Sequence, residues 1–344
     1  MNEGQTILDA ARVAGIAIPT MCHLDGLEHY SSCMVCMVRD TKRDNFIPSC
    51  TALAQDGMDI DASGEEVINL RHKADSLLLS EHRAECEAQC RIVCPKGYNI
   101  PLMNRLLAAG EFDEAAEVVR SEMNGGELNC VTCKAFCENA CRRKKVDTPV
   151  SIRNTRIFIS ENLPQTPKYE VSPYHTNIDI RKRFSSRTGP LEEKEQLEWV
   201  KECPEKLKRH REILAYRDAS EEATSCMRCD CRASGDCKLR ELAEMFSLKD
   251  PRGKFVNAPL AKKINFKTGL IFENAKCIKC GLCVRVVADA MDEPALCFIN
   301  RGFISIISEP LTVKFDDIPA SVAGKCVEVC PTGALAFLKD KKGT

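Results

Sequence analysis

The sequence predicts an α+β chain assembled from several small domains. Helical periodicity recurs in short runs: TILDAARVAG, VINLRHKADSLLLSEHR, LRELAEMFSL, and the pair IPLMNRLLAAG and EFDEAAEVVRSEM around Gly110. Strand-like sequence is confined to brief stretches, of which GFISIISEPLTVKF reads as two strands broken at Glu309-Pro310. A third observation sets the organisation. Of the 22 cysteines, 21 fall into four blocks, 22–50, 86–141, 226–237 and 277–330.

A length of 344 residues suits two or three domains, and 44% hydrophobic residues suffice for packed cores. Between the second and third blocks the only cysteine is Cys203. That stretch opens with the Pro-rich ENLPQTPKYEVSPYH and continues into a charged pattern that predicts an exposed helix from about Leu191 to Tyr216, so it reads as a linker. The formal net charge of −1 gives no drive toward nucleic acid or an anionic membrane. No apolar run reaches the roughly 18 residues of a spanning helix. The N-terminal MNEGQTILDAARVAGIAIP lacks a basic segment followed by an apolar one, so no export signal is expected.

Cysteine at this density means disulfides in an oxidising compartment or metal sites in a reducing one. The length of the chain and the lack of an export signal favour metal sites in the cytoplasm. Aromatic residues make up only 6%, with a single Trp, which fits an interior organised around inorganic clusters.

Cys22, Cys33, Cys36 and Cys50 are spaced C-x10-C-x2-C-x13-C. Four soft thiolates suit two sulfide-bridged irons, and a zinc ribbon is the alternative. With G-x-TIL-x-AA and IP-x-x-C around it, the segment resembles the [2Fe–2S] domain that begins the large iron–sulfur subunit of complex I and of NAD-linked hydrogenases. In that family a β-hairpin precedes the helix; here the sequence starts almost at the helix.

The second block reads H-RAE-C-EAQ-C-RIV-CP, then C-VT-C-KAF-C-ENA-C-RR, with the helical pair between. With CP-x4-IP-x2-N-x-L and the PVSI ending, it resembles the iron–sulfur domain of the glutamate synthase small subunit and dihydropyrimidine dehydrogenase, which implies two [4Fe–4S] clusters with interleaved ligands. Carried over, one cluster takes Cys86, Cys90 and Cys141. Its usual fourth cysteine is Arg83 here, and His82 beside it is the expected substitute. The other reading of His82 is a helix-end histidine that only hydrogen-bonds. The second cluster takes Cys94, Cys133 and Cys137. The family's Glu or Gln ligand matches Arg156, so Cys130 is the expected fourth, with an oxygen-ligated cluster as the alternative. The run Arg142, Arg143, Lys144 and Lys145 is either a solvated patch or a set of cations that raise a cluster's potential.

Cys226, Cys229, Cys231 and Cys237 lie within twelve residues and are assigned one [4Fe–4S] cluster. Zinc would accept the same set, and His210 or Cys203 could replace one member. The segment resembles the C-x2-C-x5-C-x-L piece of complex I-type subunits, which there completes the H-x3-C site.

The last block has Cys277, Cys280 and Cys283, then Cys326 and Cys330 in KCVEVCPTGAL. Val287 occupies the fourth position of the first ferredoxin run, and Ala320 and Ala323 replace cysteines of the second. One cluster is therefore expected, on Cys277, Cys280, Cys283 and Cys330, as in the complex I-type subunits that share RG-F-x-x-I and CP-x-GAL. Cys297 and Cys326 are expected to be buried thiols.

The expected domains are a [2Fe–2S] ferredoxin-like domain at 1–70, a helical double-[4Fe–4S] insert at 71–160, a linker at 161–220, a compact [4Fe–4S] segment at 221–275 and a ferredoxin-like [4Fe–4S] domain at 276–344. The cofactors expected are one [2Fe–2S] and four [4Fe–4S] clusters. No G-x-G occurs, so no dinucleotide fingerprint is present. The chain is expected to carry electrons without substrate chemistry. The resemblance implies an NAD(P)H-binding flavoprotein as partner and a further redox subunit such as a hydrogenase, a formate dehydrogenase or a ferredoxin-linked protein. A glutamate synthase-like NADPH flavoenzyme system and a zinc-stabilised interaction protein are the rival classes.

Overall fold

In the computed structural model the described residues are 4–82, 86–123, 129–165, 200–203, 212–233, 236–246, 248, 262–291 and 295–338. Most of the predicted helix from Leu191 lies outside them. Its described end, residues 212–215, is not helical. The chain divides into two compact units: Met1–Arg83 with Asp236–Leu338, and Ala84–Gly235 with Lys339–Thr344.

The first unit begins with α1 (Ile7–Val13), whose start is fixed by a capping box: the Thr6 hydroxyl accepts from the Asp9 amide, and the Asp9 carboxylate accepts from the Thr6 amide. Such a cap stabilises a helix by about 1 kcal/mol. Ile7 and Leu8 bury against Ile18 and Val38, each worth about 1.5–3 kcal/mol when removed from water. Three strands, β1 (Met37–Asp40), β2 (Asn45–Pro48) and β3 (Ile60–Asp61), pair antiparallel in the order β2-β1-β3. Helix α2 (Glu65–Glu81) packs on β1, and Arg71 from it donates to the Met37 carbonyl at 2.9 Å.

The second unit is helical. It contains α3 (Gln89–Ile92), α4 (Ile100–Ala108), α5 (Phe112–Met123), α6 (Phe136–Asn139), α7 (Ile152–Glu161) and α8 (Tyr216–Thr224). Asn99 caps α4 by accepting from the Leu102 amide at 3.3 Å, and Pro101 sits in its first turn, where a missing N–H costs nothing. Gly110 supplies the positive φ of 81° that lets α5 double back on α4. Helix α8 lies against α4, and the apolar residues of α4, α5 and α7 make one core with Ala219 and Ala223.

The first unit resumes with α9 (Lys238–Met245), which packs on α2. The strands β4 (Lys262–Asn265), β5 (Leu270–Glu273) and β8 (Leu335–Phe337) form an antiparallel sheet in the order β4-β5-β8, packed with α10 (Leu282–Ala290) and α11 (Ala320–Val329). GFISIISEPLTVKF yields one strand, not two. Residues 302–304 are a 3-10 turn after Asn300 at φ 64°, β7 (Ile306–Ser308) pairs with β6 (Cys297–Ile299), and Pro310 is followed by a turn with Leu311 fully exposed. Alternation alone overstated the second half because its leucine has nothing to pack on.

Candidate iron–sulfur centres

The four cysteines of the first block are buried around the start of β1. They stand as two thiol pairs. Cys22 hydrogen-bonds with Cys33, and Cys36 with Cys50. Within each pair one sulfur is stabilised as thiolate by its partner's hydrogen: Cys22 falls to about 5 and Cys50 to about 6, while Cys33 and Cys36 are pushed up by the same bond and by burial. Two pairs of soft thiolates at one place would suit a two-iron cluster, with Cys22, Cys33, Cys36 and Cys50 as the residues to hold it.

Cys277, Cys280, Cys283 and Cys330 line one cavity of about 310 Å³, partly open, together with Ile278, Leu282 and Thr332. Burial raises Cys277 and Cys280 to about 12 and Cys283 well above its ordinary value, and neighbouring thiols of the same quartet add to the rise. Buried thiols this reluctant to ionise become thiolates only against a cationic centre, which iron supplies. The C-x2-C-G-L-C turn is tight. Gly281 has φ 76°, and a Cβ there would meet the Phe298 ring at 3.3 Å. Cys326 is wholly buried in the core beside α10, and burial lifts its thiol to about 12; Cys297 is half-buried on β6.

In the helical unit Cys130 lies within electrostatic reach of Cys94 and Cys133, and Cys137 within reach of Cys130 and Cys94. Arg156, the residue matching the family's oxygen ligand, is fully buried. It hydrogen-bonds to Cys130, pairs with Glu122 at 2.7 Å and stacks 4.1 Å over the Tyr98 ring. A guanidinium cannot ligate, but here it offsets the burial that raises the Cys130 thiol. Arg153 adds donors to the carbonyls of Cys130 at 2.9 Å and Val131 at 2.6 Å, fixing that loop.

Two expected quartets are grouped differently by the structure. Cys90 and Cys141 share a cavity with Cys226 and Cys229, not with Cys86. The cause is local: Cys226 follows directly on α8, which lies on α4, and its amide bonds back to Ala223. Cys231 donates from its amide to the Cys86 carbonyl at 3.1 Å. Cys237 belongs to the other unit, where it precedes α9 and its thiol donates to the Pro331 carbonyl at 3.7 Å. Spacing along the chain missed this division because it does not register where α8 lies.

His82 is 4% exposed at the end of α2. Its Nδ1 lies 2.8 Å from the Lys276 carbonyl, which also accepts from the Thr332 hydroxyl at 2.9 Å. A carbonyl only accepts, so Nδ1 carries the hydrogen and Nε2 keeps a lone pair for a metal. Burial lowers its pKa to about 4, so the ring is neutral. Of the basic run, Arg142 and Arg143 are buried and Lys144 and Lys145 exposed. Arg143 pairs with Asp147 at 2.6 Å and donates to the Ser225 carbonyl at 2.8 Å. The run is therefore only half a solvated patch.

Among the described residues no three His, Cys, Asp or Glu side chains converge on a single-ion site; eight of the thiols line two cavities. Three domain families match. Residues 1–64 match the 2Fe-2S iron-sulfur cluster binding domain, 65–167 the dihydropyrimidine dehydrogenase domain II with its 4Fe-4S cluster, and 270–336 the ferredoxin-like domain of NADH-quinone oxidoreductase subunit 3. This chain is an iron–sulfur protein. It joins a two-iron domain, a helical four-iron domain and a ferredoxin-like domain in one mixed α+β polypeptide.

This iron–sulfur protein is 32% identical over 161 residues to the NADP-reducing hydrogenase subunit HndD of Solidesulfovibrio fructosivorans, covering 40% of the chain and 25% of the relative. It is 31% identical over 139 residues to the mitochondrial NADH-ubiquinone oxidoreductase 78 kDa subunit of Candida albicans, covering 40% and 17%. It is 26% identical over 107 residues to the gamma chain of the NAD-reducing hydrogenase HoxS of Cupriavidus necator, covering 30% and 44%. The matched part thus spans less than half the length of each of these relatives. A chain in the crystal structure of an H2-reduced NAD+-reducing [NiFe]-hydrogenase shares the fold, with a TM-score of 0.51, 17% identity, and coverage of 100% of this chain and 85% of that one. No helix among the described residues is long and apolar enough to cross a membrane.

Proposed function

We propose that the chain is the electron-relaying subunit of a cytoplasmic NAD(P)H-linked oxidoreductase complex and holds one [2Fe–2S] and four [4Fe–4S] clusters. The observation that carries the relay reading is Arg285. From α10 it donates to the Cys22 carbonyl at 2.9 Å and the Cys280 carbonyl at 3.5 Å, so one side chain ties the first thiol block to the last. The Ser32 hydroxyl also reaches the Cys280 carbonyl at 3.5 Å. In the helical unit Cys137 of one quartet lies within electrostatic reach of Cys90 of the next.

The two-iron centre takes Cys22, Cys33, Cys36 and Cys50. One four-iron centre takes Cys277, Cys280, Cys283 and Cys330, and another Cys94, Cys130, Cys133 and Cys137. The clusters supply one-electron redox chemistry. The protein's own part is to seat them close together, exclude water and set their potentials through hydrogen bonds and charge. One partner is then an NAD(P)H-binding flavoprotein, as the sequence resemblance implies, and the second a hydrogenase-type or other redox subunit, a reading supported by the likeness to subunits of an NADP-reducing and an NAD-reducing hydrogenase.

Anaerobic titration with dithionite tests this reading. Uptake of about five electrons per chain, one per cluster, with a two-iron EPR signal distinct from several four-iron signals, is expected. A chain that takes up no electrons refutes it.

A further inference from the structure

The cavity in the helical unit has four thiols on its wall and two arginines beside them. Cys90 comes from α3, Cys141 from the loop after α6, and Cys226 and Cys229 from the segment after α8. Its atom-free space is about 380 Å³. The Cys90 thiol is surrounded by those of Cys226, Cys141 and Cys229, and the Arg142 guanidinium stands by Cys229. The segment bearing Cys226 and Cys229 is locked down on three sides. Arg105 of α4 pairs with Asp230, Arg143 holds the Ser225 carbonyl, and the Cys203 thiol donates to the Cys226 carbonyl at 3.1 Å.

We infer that Cys90, Cys141, Cys226 and Cys229 together ligate one [4Fe–4S] cluster, closed by cysteines from opposite ends of the helical unit. This rests on the reading of the chain as a cluster carrier and redraws its ligand map. The C-x2-C pair after α8 replaces the thiol that Arg83 lacks and also displaces Cys86. Of the ligands expected from the sequence, His82, Cys86, Cys231 and Cys237 then stand outside the four quartets.

Pairwise substitution in the full chain, reconstituted anaerobically, separates the two maps. Cys90→Ala/Cys141→Ala and Cys226→Ala/Cys229→Ala should each lose about four irons, and the quadruple variant should lose about four, not eight, because all four residues serve one cube. A loss of about eight irons in the quadruple variant overturns the inference, since the pairs then serve two clusters. Retention of the two-iron EPR signal shows that each variant has folded.

A second measurement needs no variant. During slow chelation of the wild-type protein, alkylation followed by mass spectrometry should label Cys90, Cys141, Cys226 and Cys229 with one common rate. Labelling of Cys226 and Cys229 in step with Cys231 and Cys237, apart from Cys90 and Cys141, overturns the inference. Failure of the broader reading looks different: the wild-type protein itself then holds no acid-labile sulfide.

Discussion

The guanidinium of Arg285 donates to the main-chain carbonyl of Cys22 at 2.9 Å, across 263 residues of sequence. The same side chain reaches the Cys280 carbonyl, lies 5.0 Å over the Tyr30 ring and is 7% exposed. A buried cation this close to two thiol quartets favours the reduced, more negative state of any cluster they hold. Arg285→Ala should lower both midpoint potentials, by tens of millivolts on the order expected for a lost charged hydrogen bond. EPR-monitored redox titration reads both at once. Two unmoved potentials would show that Arg285 is structural only.

His82 gives a second test. Its Nδ1–H bond to the Lys276 carbonyl leaves Nε2 as the only ring atom able to ligate. His82→Ala should perturb a single cluster. His82→Cys should keep the iron content and lower that one potential, because a thiolate adds a negative charge that imidazole lacks. If neither substitution changes any spectrum, His82 is not a ligand.

Arg156 and Glu122 form a buried ion pair with 0% and 5% side-chain exposure. Arg156→Leu removes the cation paired with the buried Glu122 carboxylate, which keeps only its hydrogen bond from the Asn99 amide, and should cost about 3–5 kcal/mol, seen as a lower denaturant midpoint. Adding Glu122→Leu should recover much of that loss. A double variant no more stable than the single one would place the cost on the contact with Cys130 instead.

Asp75 predicts a pH dependence. It lies buried on α2 with both carboxylate oxygens unpartnered, and burial raises its pKa to about 7. The unfolded value is about 3.9. The folded state therefore holds a proton that the unfolded state releases, so stability is full below about pH 4 and falls as pH rises through about 7. Asp75→Asn removes this loss. Its gain in apparent Tm over the wild type should be larger at pH 8 than at pH 5, and an equal gain at both would mean the carboxyl is not the cause.

Much of the fold was legible because its signals are local. The Thr6–Asp9 cap, the Gly110 break and the 3.6-residue stripes of α2, α4 and α5 each act within a few residues. The C-x2-C runs of the first and last blocks are local in the same way, although Cys50 follows Cys36 by 14 residues and Cys330 follows Cys283 by 47. What escaped the sequence is set by distance. Nothing near Cys226 announces Cys90, 136 residues earlier; only the packing of α8 on α4 brings the two to one cavity. The buried states of Arg142, Arg143 and Arg156 were equally hidden: a basic run reads as surface until Asp147 and the Ser225 carbonyl are seen to meet Arg143, and Arg156 reads so until Glu122 is seen to pair with it.

The central claim is a five-cluster carrier, and its most direct test is metal and sulfide analysis of anaerobically purified protein. About 18 irons per chain with a matching amount of acid-labile sulfide is the expected result. Zinc without sulfide, or a reproducible yield near 10 irons after reconstitution, would contradict it.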